Sequence, residues 1–149
     1  MKPGPKPGAQ GECVGHDVGA GEGESMPLAH GVDLVEVARI AQMLQEHGER
    51  FEHRVFTEGE LAYAHGKARR IEHLAARFAA KEAALKAIGT GWAAGISWRD
   101  VEVVSEPDGR PTLRLSGRAV EVAAHRGLTT WAVSLTHTET HAMASVVAM

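Results

Sequence analysis

The strongest hydrophobic pattern in the chain covers residues 70–88, where apolar side chains recur every three or four positions among good helix formers. This spacing predicts a long helix with one apolar face, and the glycines of the following Gly89-Thr90-Gly91 end it. Glu82 lies in the middle of the apolar face, and Lys86 follows one turn later. The apolar positions are Ile71, Leu74, Phe78, Leu85 and Ile88.

Two patterned segments open the part of the chain that precedes this helix. Residues 28–35 alternate in the manner of a β-strand, with Ala29, Gly31 and Asp33 on one face. Residues 36–47 have the spacing of a helix with an apolar inner side, which ends at the following glycine.

The stretch between the two helices is predicted to hold a loop and a short helix. Phe51 and Phe56 are expected to anchor the loop. Thr57 and Glu60 have the spacing of a capping box, which starts a helix that runs to about His65.

After Gly95 the period of the pattern changes from helical to two, which is typical of strands. A turn rich in glycine and proline separates the first two of these strands, so they form a hairpin. Helices mixed with hairpins predict an α+β fold. The predicted elements are strands at residues 101–103, 112–115, 131–137 and 141–147, and a helix at residues 117–125.

Composition adds limits to this outline. The chain has 149 residues, of which 44% are hydrophobic and 23% charged, as expected for one globular domain. Residues 1–25 are dominated by glycine and proline and are expected to be a disordered tail, so the domain comprises residues 26–149. The single Cys13 excludes an intrachain disulfide.

Charge and hydropathy exclude two classes of partner. A net charge of -3 and a pI near 6.3 do not indicate the basic surface that binds nucleic acid. No apolar run approaches the roughly 18 residues that a membrane span needs. The start of the chain lacks the apolar stretch of a secretory signal. We therefore expect a cytoplasmic protein that binds neither nucleic acid nor a membrane.

Two carboxylates stand out as candidate chemistry. Burying Glu82 alone is unfavourable, so a neighbouring cation such as Lys86 would make a possible metal and phosphate site. The alternative is an ordinary solvated pair between helix positions four residues apart. Asp33 lies among small residues that allow a ligand to approach closely, or else it is an edge aspartate that faces water.

His137 is the third candidate, at the end of an apolar strand face. It could reach a phosphate at the strand tip, or it could be a histidine hydrogen-bonded within a hairpin. Ser134 faces away from His137 on this strand and no nucleophile elbow is present, so a serine hydrolase is not expected. The other histidines lack the spacing of zinc ligands.

From about Leu28 to the C-terminus, the order and spacing of four segments resemble those of the holo-[acyl-carrier-protein] synthases, the small 4'-phosphopantetheinyl transferases. The combination is specific, although no single segment is. The segments are residues 31–36 (GVDLVE), residues 39–40 (RI), residues 77–91 (RFAAKEAALKAIGTG) and residues 134–138 (SLTHT).

The resemblance implies a fold and a reaction. The fold is an antiparallel sheet packed with a long central helix in a single domain. In the reaction, coenzyme A donates 4'-phosphopantetheine to a serine of an apo acyl carrier protein and 3',5'-ADP is released. Mg²⁺ is the implied cofactor, with Asp33 and Glu82 as its ligands and Lys86 as a third catalytic residue. Whether Glu82 or a water takes the serine proton stays open.

Further roles follow from the same resemblance. Arg77 corresponds to a residue near the 3'-phosphate of coenzyme A, Lys86 to a pyrophosphate contact, and His137 to a contact with the coenzyme's phosphates. The remaining residues implied in coenzyme binding are Gly89, Thr90 and Gly91, whose backbone would approach the nucleotide.

The implied assembly is a homotrimer in which His137 completes the active site of a neighbouring subunit. Arg39, Arg50 and Arg54 fall at or near positions that meet the acidic carrier protein, which serves fatty-acid or polyketide synthesis. Two alternatives remain at this point: a Mg²⁺-dependent nucleotide hydrolase, and a catalytically silent module that binds the carrier protein.

Overall fold

The structure is a computed structural model that describes residues 26–149, so the predicted tail at residues 1–25, with Cys13, lies outside it. The described part contains five strands, five α-helices and one 3-10 turn at Trp98–Asp100. The strands are β1 Ala29–Glu36, β2 Val101–Ser105, β3 Pro111–Leu115, β4 Trp131–His137 and β5 His141–Ala148. The helices are α1 Val37–His47, α2 Glu49–Val55, α3 Glu58–Ala64, α4 Arg70–Ile88 and α5 Gly117–His125.

The strands form two antiparallel sheets, and the predicted α+β fold with a long central helix is confirmed. The larger sheet has the order β1-β5-β4, so the first strand pairs with the last one. The smaller sheet is the β2-β3 hairpin, as its turn residues predicted. In the described residues no helix is both long enough and apolar enough to cross a membrane.

Helix α4 is the centre of the core, but the prediction that only one of its faces is buried is wrong. Most of its side chains are buried, while Ile71, expected on the inner face, is 37% exposed. The helix packs on the larger sheet and also contacts α1, α3 and β2. Its many alanines explain the difference, because small side chains allow neighbours to approach a helix from several sides.

Strand β1 approaches α4 closely at Gly31. A Cβ atom at this position would lie 2.8 Å from the backbone nitrogen of Ala87 and would overlap the carbonyl oxygen of Ala83. Both neighbours are backbone atoms, which cannot rotate away as a flexible side chain can. Only glycine therefore fits between the strand and the helix here.

The segment predicted as a loop after the first helix is helix α2. Gly48, with φ +52, redirects the chain, and the new helix buries Phe51 and Val55 one turn apart. Acidic residues in its first turn and basic residues in its last turn favour this helix through its dipole. The loop prediction is wrong because seven residues are too short for a clear periodic signal.

A buried ion pair joins α3 to α4. The predicted capping box is confirmed, since the Thr57 backbone donates to Glu60 Oε2 at 2.9 Å. Lys81 Nζ lies 2.9 Å from that same oxygen, and both side chains are fully buried. Lys81 also donates to the carbonyl oxygens of Trp98, at 3.1 Å, and of Val101. Burial lowers the pKa of Lys81, and the Glu60 charge opposes that shift.

The outer face of the larger sheet, which points away from α4, carries apolar side chains. In the register of β1 and β5, Leu34 stands opposite Met143. We call the four exposed apolar residues of these strands the outer sheet patch. They are Val32 at 44% exposure, Leu34 at 62%, Met143 at 39% and Val147 at 37%.

Candidate active site

Asp33 and Lys86 meet where β1 crosses α4. Lys86 Nζ lies 3.0 Å from Asp33 Oδ1 and donates to the carbonyl oxygen of Val32 at 3.1 Å. The alternation along β1 places Asp33 on the face that packs against α4. The alternative of an aspartate facing water is therefore wrong, although β1 is an edge strand.

Glu82 lies half-buried on the same side of α4. Burial raises the pKa of its carboxyl group, a hydrogen bond from Trp92 lowers it, and the nearby charge of Asp33 raises it again. Lys86 and Arg39 act in the opposite direction. Within residues 26–149 no ion pair joins Glu82 to Lys86, because the lysine pairs with Asp33 instead.

The donor set at this point fits Mg²⁺. Asp33 and Glu82 offer only carboxylate oxygens, and their mutual repulsion, which raises the pKa of Glu82, is what a cation would relieve. The described residues contain no group of three or more histidine, cysteine or acidic side chains placed to hold a metal. Mg²⁺ commonly binds through one or two carboxylates and completes its shell with water and substrate phosphate.

The turn after α4 brings an indole onto Glu82. Gly89, with φ +80, ends the helix in the left-handed conformation, and the chain folds back through Thr90 and Gly91. The indole nitrogen of Trp92 then donates to Glu82 Oε1 at 3.3 Å. Sequence reasoning missed Trp92, and the available signal was an aromatic residue directly after a glycine turn that leaves the helix of Glu82.

Arg77 lies on a different side of α4. At 100° per residue its side chain is about 180° from that of Lys86. It is 3% exposed, and its guanidinium donates to Ser105 Oγ at 3.1 Å and to the carbonyl oxygen of His73 at 3.3 Å. The same group lies 4.0 Å from the centroid of the Tyr63 ring.

His137 reaches the same region from β4. Its Nδ1 atom lies 3.5 Å from Glu72 Oε2, and its ring centroid is 5.5 Å from that of His73. His73 lies about 14 Å along the helix axis from Glu82. Within one chain, Arg77 and His137 thus meet around His73, separately from the carboxylate pair.

This second cluster has unused hydrogen-bonding capacity. Arg77 Nε is buried without a hydrogen-bond partner in the described part of the chain. His137 Nδ1 and Glu72 Oε2 make no hydrogen bond there either, but they face each other at 3.5 Å, which is within the range of an ion pair. Burial, followed by the charge of Arg77, lowers the pKa of His73. A buried cationic nitrogen that lacks an acceptor is suited to an anionic ligand.

The three arginines assigned to a protein partner lie in one groove. Arg39, Arg50 and Arg54 line a cavity of about 380 Å³ whose floor includes Met43 and Phe51. Arg39 also lowers the pKa of Glu82, so the groove adjoins the carboxylate pair. A basic rim around an apolar floor is complementary to an acidic amphipathic helix.

Comparisons with known proteins agree over nearly the whole described chain. The family model of the 4'-phosphopantetheinyl transferase superfamily matches residues 29–144. The holo-[acyl-carrier-protein] synthase of Koribacter versatilis is 51% identical over 122 residues, which cover 82% of this chain and 98% of that protein. The synthase of Geobacter sulfurreducens is 44% identical over 122 residues, with coverages of 82% and 97%.

Solved structures give the same result. The holo-[acyl-carrier-protein] synthase of Neisseria meningitidis superimposes with a TM-score of 0.75 at 30% identity, covering 81% of this chain and 97% of that one. The Helicobacter pylori synthase, solved in complex with coenzyme A, gives a TM-score of 0.70 at 27% identity, with coverages of 80% and 99%.

Proposed function

Because this chain belongs to the holo-[acyl-carrier-protein] synthases of the 4'-phosphopantetheinyl transferase superfamily, we propose that it modifies an apo acyl carrier protein with coenzyme A as the donor. The serine oxygen attacks the pyrophosphate phosphorus next to the pantetheine. A phosphodiester bond forms, the bond to 3',5'-ADP breaks, and the serine proton is released. The observation that carries the proposal is the meeting of Asp33, Glu82 and Lys86 where β1 packs on α4.

The residues of this meeting point have separate tasks. Asp33 and Glu82 would hold Mg²⁺, which supplies charge neutralisation at the pyrophosphate. Lys86, whose side chain is 41% exposed, can turn its ammonium from Asp33 to a substrate phosphate. Burial raises the pKa of Glu82 and so favours it as the acceptor of the serine proton, with water as the other candidate.

We further propose a homotrimer with shared active sites. The outer sheet patch is an exposed apolar surface, and contact with a second copy of the chain would bury it. The cluster around His73 has hydrogen-bonding groups without partners, and α4 separates it from the carboxylate pair. Joining the two clusters across an interface would let Arg77 and His137 of one subunit contact a coenzyme A molecule bound at Glu82 of its neighbour.

The carrier protein would bind in the groove of Arg39, Arg50 and Arg54. Acyl carrier proteins are acidic, and the groove combines positive charge with an apolar floor. Its position beside Glu82 would deliver the carrier serine to the pyrophosphate.

Intact mass spectrometry tests the proposed reaction. The protein is incubated with an apo acyl carrier protein, coenzyme A and Mg²⁺, and the carrier is expected to gain one phosphopantetheine group. A carrier whose serine is changed to alanine is the matched control. Release of 3',5'-ADP without a modified carrier would identify a nucleotide hydrolase. The absence of both products would contradict the proposed reaction and leave the silent module as the alternative.

A subunit-mixing experiment tests the shared site. Glu82→Ala and His137→Ala are each expected to be strongly impaired, and exchange of subunits between them should restore part of the activity. Recovery is expected because some interfaces pair an intact Glu82 with an intact His137 of the neighbour. Each variant put through the same exchange alone is the control. A fully exchanged mixture without recovered activity would contradict the shared site.

A further inference from the structure

Trp92 donates a hydrogen bond to the Glu82 carboxylate. Its indole nitrogen lies 3.3 Å from Glu82 Oε1, and no other hydrogen bond to this carboxylate is found among the described residues. The described residues therefore provide no hydrogen-bond donor to the second oxygen, Oε2. An indole N–H donates but cannot accept, so it leaves the carboxylate charge in place.

The indole of Trp92 packs against a second aromatic ring. Its ring lies 3.7 Å from that of Trp98, centroid to centroid, and Trp98 stacks at 4.9 Å on Phe78 of helix α4. Lys81 binds the backbone carbonyl of Trp98 from inside the core. A continuous set of contacts thus connects the buried ion pair of Lys81 to the indole that contacts Glu82.

We propose that Trp92 is a positioning residue, whose indole N–H holds one oxygen of Glu82 and so directs the other toward the cation. This proposal rests on the proposed function, in which Glu82 is a metal ligand. Hydrogen-bond partners of this kind orient a metal-binding side chain and limit its rotation. Less conformational entropy is then lost when the cation binds. The substitution Trp92→Phe removes the indole N–H and keeps an aromatic ring that can stack on Trp98.

Direct metal binding tests the proposal without turnover. Mn²⁺ is titrated into the protein with coenzyme A present and no carrier, and free Mn²⁺ is measured by electron paramagnetic resonance. Trp92→Phe is expected to raise the dissociation constant roughly tenfold. Trp131→Phe is the matched control, because it makes the same change on strand β4 and keeps both the Trp92 N–H and its stack on Trp98. Equal dissociation constants for the two variants would overturn the proposal.

Kinetics separate positioning from loss of fold. In Trp92→Phe the Mg²⁺ concentration for half-maximal activity should rise, while kcat at saturating Mg²⁺ recovers toward the parent value. A lower kcat with unchanged half-saturation would indicate a structural defect and overturn the proposal. A parent protein that neither binds Mn²⁺ nor modifies the carrier would overturn the proposed function as well.

A fluorescence measurement keeps Trp92 itself in place. The chain has three tryptophans, so the Trp98→Phe, Trp131→Phe double variant leaves Trp92 as the only one. Adding Mg²⁺ with coenzyme A should shift its emission, and Glu82→Gln should abolish the shift. An active double variant whose emission does not respond to Mg²⁺ would contradict the contact between the indole and the metal ligand.

Discussion

Asp33→Asn and Glu82→Gln are each expected to lower turnover by roughly a few hundredfold to a thousandfold, a loss of about 3 to 4 kcal/mol of transition-state stabilisation. Each change keeps the shape of the side chain and removes one negative charge from the pair that would hold Mg²⁺. The loss should appear in kcat at saturating coenzyme A and carrier, measured by intact mass of the carrier over time.

Glu121→Gln is the matched control for these two variants. Glu121 lies on α5, is exposed, and pairs with Arg118 at 2.9 Å on the same helix. An ion pair of this kind contributes little, so activity should remain at the parent level. If Asp33→Asn or Glu82→Gln retained activity within about threefold of the parent at saturating Mg²⁺, the assignment of that residue would be wrong.

Lys81→Met should destabilise the fold by about 3 to 5 kcal/mol, since it leaves the Glu60 carboxylate buried without its cation. The change also removes the donor to the carbonyl oxygens of Trp98 and Val101. The free energy of unfolding is measured in urea at one fixed protein concentration, because assembly would contribute to the apparent stability.

Two further variants make this prediction specific to the ion pair. The double variant Glu60→Gln, Lys81→Met should recover part of the lost stability, because it removes the isolated charge together with its partner. Arg110→Met is the surface control, because Arg110 is exposed in the turn between β2 and β3, and it should change stability by less than about 0.5 kcal/mol. A loss below about 1 kcal/mol in Lys81→Met would show that the pair is not needed for stability.

The local parts of the site could be predicted from the sequence. Alternation along β1 placed Asp33 on the face with Gly31, and helical spacing placed Glu82 and Lys86 one turn apart. The partner of Lys86 could not be predicted from these patterns. It is Asp33, 53 residues earlier in the chain, and only the packing of strand on helix brings the two together.

Glu60 shows where local reasoning stops. Its capping box with Thr57 follows from a spacing of three residues. Its contacts with Lys81 and with the Val103 backbone, at 2.8 Å, depend on elements far away in the sequence. The burial of α4 on nearly all sides was missed for a related reason, because alanine marks neither an apolar nor a polar face.

Gly31 has a consequence for the spacing of the two carboxylates. It shares a strand face with Asp33, and the carbonyl that it faces belongs to Ala83, the neighbour of Glu82. The close approach of β1 to α4 beside the two carboxylates thus requires that residue 31 has no side chain. Anyone transplanting this pair onto a different scaffold would have to transplant the bare backbone contact too, or the strand would lift from the helix and take Asp33 out of reach.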